Sequence, residues 1–274
     1  MFQRCGLQYY YRYILNWSER PSLALANGKA GHSAVEFVLQ TKIDTQELPP
    51  IDNVLDKFRD EYVAETAKLD ASDLGPDENI NQTENRTRST LTYYHAVEAP
   101  LVTPLSVEQE FSLSIPGDEE YEQDLPPIVG RIDLVSARDN LTELLDHKFV
   151  GRAKRQEDID LSDQLTLYDM TMARAGLPTD RLGFELFIPP NKTQGPRVIQ
   201  MFRDPAMMAE EVRKQRHARL IYKMRTIERA IQSGIFIPTD NPMICGYCGF
   251  RDICQHSKAD RWTTLHSRQT GAAS

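Results

Sequence analysis

Two short apolar runs near the middle of the chain carry charge where a buried strand should carry none. GRIDLV places Asp133 between Ile132 and Leu134, and LLDHKFV places Asp146 and Lys148 two residues apart. Side chains alternate across a strand, so Asp146 and Lys148 share one face while Leu145 and His147 share the other. Charge in an apolar strand is costly unless it is paired or binds a metal. A salt bridge at a strand end would account for the Asp-x-Lys pair alone. Two carboxylates on neighbouring strands with a lysine beside them fit a divalent-metal site better. Asp133 and Asp146 would be hard oxygen ligands for Mg²⁺ or Mn²⁺. Lys148 would orient or help deprotonate a water, or neutralise charge developing on a phosphate.

The cysteines form a second constellation. Cys5 lies at one end of the sequence, and Cys245, Cys248 and Cys254 form a C-x₂-C-x₅-C cluster near the other. Four thiolates suit a tetrahedral zinc ion or an iron–sulfur cluster, and they account for every cysteine in the chain. Such a site would clip together two distant stretches of one domain. A disulfide pair and isolated thiols are the simpler alternatives, but C-x₂-C in a chain with no secretory segment favours metal or redox chemistry.

These residues need elements to hold them, and the pattern changes along the 274 residues. Apolar residues recur at helical spacing over residues 2–15, 28–40, 51–69 and 83–97, with a polar Gly/Pro-containing loop over 70–81. After Pro104 the period shortens, and 105–115, 128–136 and 141–150 read as strands. PGDEEYEQDLPP between the first two is an acidic hairpin tip, and ARDN between the second and third is a tight turn. A helix over 162–175, strands over 181–188 and 197–202, and a long charged helix over 205–233 follow. The order describes a mixed α/β domain with a central sheet flanked by helices. The tail over 267–274 is too polar to pack and is expected to be disordered.

The net charge of −8 argues against nonspecific coating of nucleic acid, but it is unevenly spread. Between Asp44 and Glu84 there are 12 acidic residues against 3 basic ones. The balance reverses between Glu210 and Arg229, where Arg213, Lys214, Arg216, Arg219, Lys223, Arg225 and Arg229 form either a solvated helix face or a phosphate-tracking one. No apolar run is long enough for a membrane span and no leader precedes the first helix, so a cytoplasmic location is expected.

GRIDLV, LLDHK and the following QLTLY together resemble the PD-(D/E)XK nuclease superfamily, in particular its RecB-like branch. One upstream cysteine with a C-x₂-C-x₅-C cluster is similar to CRISPR-associated RecB-like exonucleases and to AddB-type nuclease domains, where the cysteines hold a [4Fe–4S] cluster. GKAGHSAVE matches the early helix of that branch, which carries a histidine after a small-residue turn. The resemblance covers residues 1–256. It implies a restriction-endonuclease-like core with a helical N-terminal part and a C-terminal cysteine loop. A single nuclease domain would span 1–266, with helices over 1–100, the catalytic sheet over 101–204, and the basic helix and cysteine cluster over 205–256.

Carried over residue by residue, the resemblance implies that His32, Asp133, Asp146 and the main-chain carbonyl of His147 bind the catalytic metal. Lys148 would be the catalytic lysine. Gln164 and Tyr168, on one face of the next helix, would contact DNA or the active-site network. Glu108 matches a glutamate often seen in the strand before GRIDLV. Cys5, Cys245, Cys248 and Cys254 would hold the [4Fe–4S] cluster, with zinc as the rival occupant. The chain departs from the family in two places: Cys5 follows only four residues, and His147 stands where tyrosine or another strand former is usual.

The implied reaction is Mg²⁺- or Mn²⁺-dependent hydrolysis of DNA, as an exonuclease on single strands or free ends in repair, recombination or CRISPR-type processing. The alternatives are a DNA-binding subunit of a larger nuclease–helicase or spacer-acquisition complex, and a structure-selective endonuclease. The absence of a G-x-x-x-x-G-K-[ST] loop leaves any unwinding to a helicase partner, and an integrase-type partner is the other expectation.

Overall fold

The computed structural model describes residues 1–119, 123–177 and 179–255. The centre of the acidic hairpin tip and the tail expected to be disordered lie outside the described residues. The chain divides into two compact units, one of Leu23–Ile221 and the other of Met1–Ser22 with the described residues from Tyr222 onward.

The larger unit is built on a five-stranded sheet in sequential order: β1 (Thr103–Leu113), β2 (Ile128–Arg138), β3 (Leu141–Phe149), β4 (Arg181–Ile188) and β5 (Arg197–Phe202). The β3–β4 pair is parallel and the other three are antiparallel. Asp139 and Asn140 turn the β2–β3 hairpin with φ of +52° and +63°, the left-handed pair that matches strand twist. β4 is an inner strand, paired on both sides and buried along nearly its whole length, as its apolar run broken only by Glu185 would lead one to expect.

Three helices cover one face of the sheet, with numbering that starts in the smaller unit: α2 (Leu23–Thr45), α3 (Ile51–Thr66) and α4 (Ile80–Tyr93). Ala30, Ala34 and Val38 of α2, at intervals of four, pack with Val54, Phe58 and Tyr62 of α3, also four apart, and with Leu134, Leu145 and Phe187 of the sheet. Asn79 caps α4 by accepting the Gln82 N–H at 2.8 Å, an N-terminal signal that lies inside the expected loop. The opposite face carries α5 (Gln156–Asp160) and α6 (Asp163–Arg174), which pack Ile159, Leu165 and Tyr168 against Leu144, Phe184 and Leu186. Ser162 caps α6, with the Leu165 N–H donating to its hydroxyl at 3.3 Å.

The structure revises the sequence reading at α2, which begins at Leu23, just after Pro21-Ser22, and not at Gly28. The small residues of GKAGHSAVE do not form a turn; they lie in the middle of the helix. Gly31 is there for contact: a Cβ at this position would stand 2.3 Å from Phe149 Cζ. Five-residue α5 was not expected at all, and the segment 205–208 is a separate 3₁₀ turn before α7 (Glu210–Gln232).

In the smaller unit, Cys5 precedes α1 (Gly6–Tyr9), which runs on into a wider turn over Tyr10–Ile14. α8 (Pro242–Gly246) contains Cys245, and α9 (Arg251–Gln255) contains Cys254. Leu7, Tyr10, Tyr11 and Phe250 make a small core on which Cys5, Cys248 and Cys254 pack. Gly6 permits close packing against the chain at Ile237, and its N–H donates to Ile237 C=O at 2.7 Å. No helix among the described residues is long and apolar enough to cross a membrane.

Candidate active site

The site forms where β1 and β2 lose regular pairing. The ladder passes from Val107↔Leu134 to Gln109↔Ile132 without pairing Glu108 to Asp133. Glu108 there adopts φ +48°, a strained value for a residue with a side chain. Leu134 packs in the core under α2–α4, whereas Ile132 packs in the core under α6. Residues two apart in a regular strand share a face, so this swap marks a break at Asp133. The freed carboxylate replaces a strand partner: the main-chain N–H of His147 donates to Asp133 Oδ2 at 2.8 Å.

The same oxygen lies 3.4 Å from His32 Nδ1, which α2 brings to the sheet. Gly31 lets α2 approach that closely, with the Phe149 ring against its missing side chain and 5.8 Å from the His32 ring. Burial holds the His32 imidazole down to a pKa of about 4, against the pull of Asp133, so it is neutral and able to donate a lone pair near neutral pH. Single donor atoms of His32, Asp133 and the His147 ring all lie within 4.8 Å of one another, which gives two nitrogens and a carboxylate oxygen converging on one point.

Asp146 and Lys148 share a face as the alternation requires, and Lys148 Nζ stands 2.5 Å from Asp146 Oδ2. The other carboxylate oxygen is held from α6. Tyr168 donates its hydroxyl to Asp146 Oδ1 at 3.0 Å, Gln164 Nε2 donates to the same oxygen, and Gln164 also donates to the Tyr168 hydroxyl at 3.0 Å. Burial raises the Asp146 pKa and the nearby Asp133 charge raises it further, against the opposing effect of Lys148. Burial and Asp146 likewise push the Tyr168 phenol up, so it stays a donor. Glu108 is raised by burial, then by Asp133 and Glu36, and Arg131 approaches it at 3.8 Å.

The structure therefore brings together all the residues expected at the site, but in two subgroups. His32, Asp133 and His147 converge directly. Asp146, Lys148, Gln164 and Tyr168 form a hydrogen-bonded set beside them, coupled to Asp133 through its charge. Hard oxygen donors with neutral imidazole fit a divalent cation. Sequence reasoning assigned His147 only a main-chain role and gave no role to Glu185. The fully buried Glu185 carboxylate lies 3.3 Å from His147 Nε2. The signal was present: LGFELFI carries a charge in an apolar strand just as LLDHKFV does.

The basic face of α7 is smaller than its charge count suggests. Arg213 chelates the buried carboxylate of Asp169 on α6, and His217 Nε2 joins the same group at 2.7 Å. Lys214 pairs with Glu210 at 2.8 Å and with Glu211 at 3.4 Å. These contacts anchor the helix or neutralise it locally.

The four cysteines all lie in the smaller unit, and no disulfide joins them among the described residues. Burial raises the Cys248 and Cys254 thiols, and each is raised further by neighbouring cysteines, Cys5 among them. Four thiolates on tetrahedral zinc would sit about 3.8 Å apart, from bonds of about 2.3 Å. Among the described residues, no three of these sulfurs lie within 4.8 Å of one another.

No curated protein matches the chain by sequence. The solved structure of SSO0001 aligns with 80% of this chain and 95% of its own at 16% identity, with a TM-score of 0.35. The family model of the PD-(D/E)XK nuclease superfamily matches residues 1–255, taking in the strands that carry Asp133 and Asp146-x-Lys148, the α2 histidine and the cysteines. By that match the chain belongs to the PD-(D/E)XK nuclease superfamily.

Proposed function

We propose that this protein is a Mg²⁺- or Mn²⁺-dependent deoxyribonuclease of the RecB-like branch, acting as an exonuclease on single strands or free DNA ends. Its superfamily makes it a metal-dependent nuclease with DNA as substrate. The observation that supports hydrolysis at this site is the Asp146–Lys148 contact, a carboxylate and an ammonium held 2.5 Å apart and close enough to Asp133 and His32 to act on their charge. The branch and the exonuclease mode rest on the motif resemblance.

His32 and Asp133, with Asp146 beside them, would hold the cation, and when bound it supplies Lewis-acid charge for the phosphodiester oxygens. The protein's own contributions are geometric and electrostatic. Tyr168 and Gln164 occupy Asp146 Oδ1, which fixes the direction in which Oδ2 faces. Lys148 keeps its ammonium at that oxygen and within 5.6 Å of the Phe184 ring, so it is poised to orient an attacking water or to stabilise charge on the phosphate. The His147 N–H keeps Asp133 from rotating away.

The cysteines would hold a [4Fe–4S] cluster that braces α1 against α8 and α9. Each thiolate of such a cluster binds its own iron, so it suits sulfurs spread more widely than zinc needs. Incubating the purified protein with end-labelled single- and double-stranded DNA, with Mg²⁺, Mn²⁺ or chelator, tests the activity. Metal-dependent release of mononucleotides or short products from an end supports the exonuclease reading. Internal cleavage of circular single strands contradicts it.

A further inference from the structure

We propose that His147 enters the cation site through its imidazole, completing with His32 and Asp133 a two-histidine, one-carboxylate set, and that Glu185 orients this ring from behind. The site is thereby biased towards transition-metal dications over Mg²⁺. This rests on the nuclease reading of the same site but concerns residues it does not need.

Three observations carry the inference. First, the donor atoms of His32, Asp133 and His147 already lie within 4.8 Å of one another. A cation bound at about 2.1 Å from each donor separates neighbouring donors by roughly 3 Å, so small side-chain movements close the set. Second, the His147 ring is buried, at 3% exposure, and faces the same space as His32, with ring centroids 6.0 Å apart. Beside it, Asp146 has its Oδ1 held by Tyr168 and Gln164 and its Oδ2 against Lys148 without the alignment of a full hydrogen bond.

Third, β3 and β4 pair His147 with Glu185 in register, so both side chains lie on the α2 face. Glu185 is fully buried; one carboxylate oxygen accepts from Gln200 Nε2 at 2.9 Å, and the other lies 3.3 Å from His147 Nε2. That second contact lacks the alignment of a full hydrogen bond. A carboxylate buried in an inner strand is costly without a purpose. Metal-bound imidazoles commonly give their other ring N–H to a carboxylate, which fixes tautomer and orientation. With Nε2 turned to Glu185, Nδ1 is the nitrogen left for the cation. Two imidazoles shift a site away from Mg²⁺, which prefers an all-oxygen shell.

The test titrates the full-length protein with Mg²⁺, Mn²⁺ and Co²⁺ by calorimetry and counts imidazole nitrogens on bound Mn²⁺ by pulsed EPR. Wild type should show two imidazoles and a Co²⁺ affinity well above that for Mg²⁺. His147→Gln should leave one imidazole and weaken Co²⁺ and Mn²⁺ binding at least tenfold, with Mg²⁺ binding changed by less than threefold. Glu185→Gln, close in volume, should weaken Co²⁺ binding 10- to 100-fold, the range for partners of metal-bound histidines. Circular dichroism and melting identify any variant that fails to fold, and the wild-type imidazole count decides the question independently of them. One imidazole in the wild type, or unchanged Co²⁺ affinity in a folded His147→Gln variant, overturns the proposal while leaving the nuclease intact. No saturable binding of any dication together with uncut DNA overturns both readings.

Discussion

Gly28 and Gly31 lie three residues apart in the same helix, and replacing each with alanine should have opposite effects. A Cβ at Gly28 meets nothing within 4 Å. The change then removes only the glycine penalty of a helix interior, and a gain of about 0.5–1 kcal/mol is expected. A Cβ at Gly31 would stand 2.3 Å from Phe149 Cζ, with both Cε atoms at 2.5 Å. Carbon contacts become favourable near 3.5–4 Å, so the ring or the helix must retreat by about 1 Å. Phe149 is poorly placed to yield, because its ring stacks on Phe187 at 4.6 Å and 14°. The helix therefore moves and carries His32 with it. Overpacking costs about 1–3 kcal/mol, which exceeds the propensity gain. At about 2–4 °C per kcal/mol for a unit of this size, Gly28→Ala should raise Tm by roughly 1–4 °C and Gly31→Ala should lower it by several degrees. Mn²⁺ binding should weaken about tenfold in Gly31→Ala alone. Phe149→Leu should relieve the clash, so the double variant should be more stable than additivity predicts by at least ~0.5 kcal/mol. Scanning calorimetry and metal titration of the four proteins measure all of this. If Gly31→Ala melts at or above wild type and keeps its Mn²⁺ affinity, the account of how α2 positions His32 is wrong.

Asp146→Asn should reduce DNA cleavage about a thousand-fold while circular dichroism stays unchanged, and a variant retaining more than a tenth of the wild-type rate would remove Asp146 from the site. Burial pushes the Asp169 carboxyl upward, but His217 and Arg213 outweigh it and hold the pKa below its ordinary value. The resulting stability is present above the unfolded carboxyl pKa of about 3.9 and is lost as pH falls through the lower folded value. Asp169→Asn should cost about 3 kcal/mol at neutral pH and flatten that acid loss; parallel pH–stability curves for the two proteins would contradict it. Anaerobically purified protein should be brown with about four irons per chain, and Cys5→Ser should lose the colour and gain protease sensitivity together. Colourless protein with one zinc would reject the cluster.

Much of the sheet could be read from sequence because its strands carry strong local signals. β4 and β5 begin and end where their apolar runs do, and the Asp146–Lys148 pairing follows from alternation alone. What escaped depended on tertiary contact. Gly28 looked like a boundary because a glycine's environment is invisible in one dimension, and Gly31 is defined by a phenylalanine 118 positions later. α5 is too short for periodicity to show. The strand break at Asp133 lies opposite the left-handed Glu108 across the ladder, a feature of the pair of strands that GRIDLV alone does not show. Arg213 looked like part of a surface charge run because its partner, Asp169, is on another helix.

The central claim is that His32, Asp133, Asp146 and Lys148 form one hydrolytic site. Single-turnover cleavage of end-labelled single-stranded DNA by wild type and Lys148→Ala, at matched saturating Mn²⁺ and with Mn²⁺ binding measured on both, tests it most directly. The account predicts rapid cleavage by wild type that chelator abolishes, and a loss of at least a hundred-fold in Lys148→Ala with Mn²⁺ affinity kept within threefold. Cleavage by Lys148→Ala at the wild-type rate would contradict it.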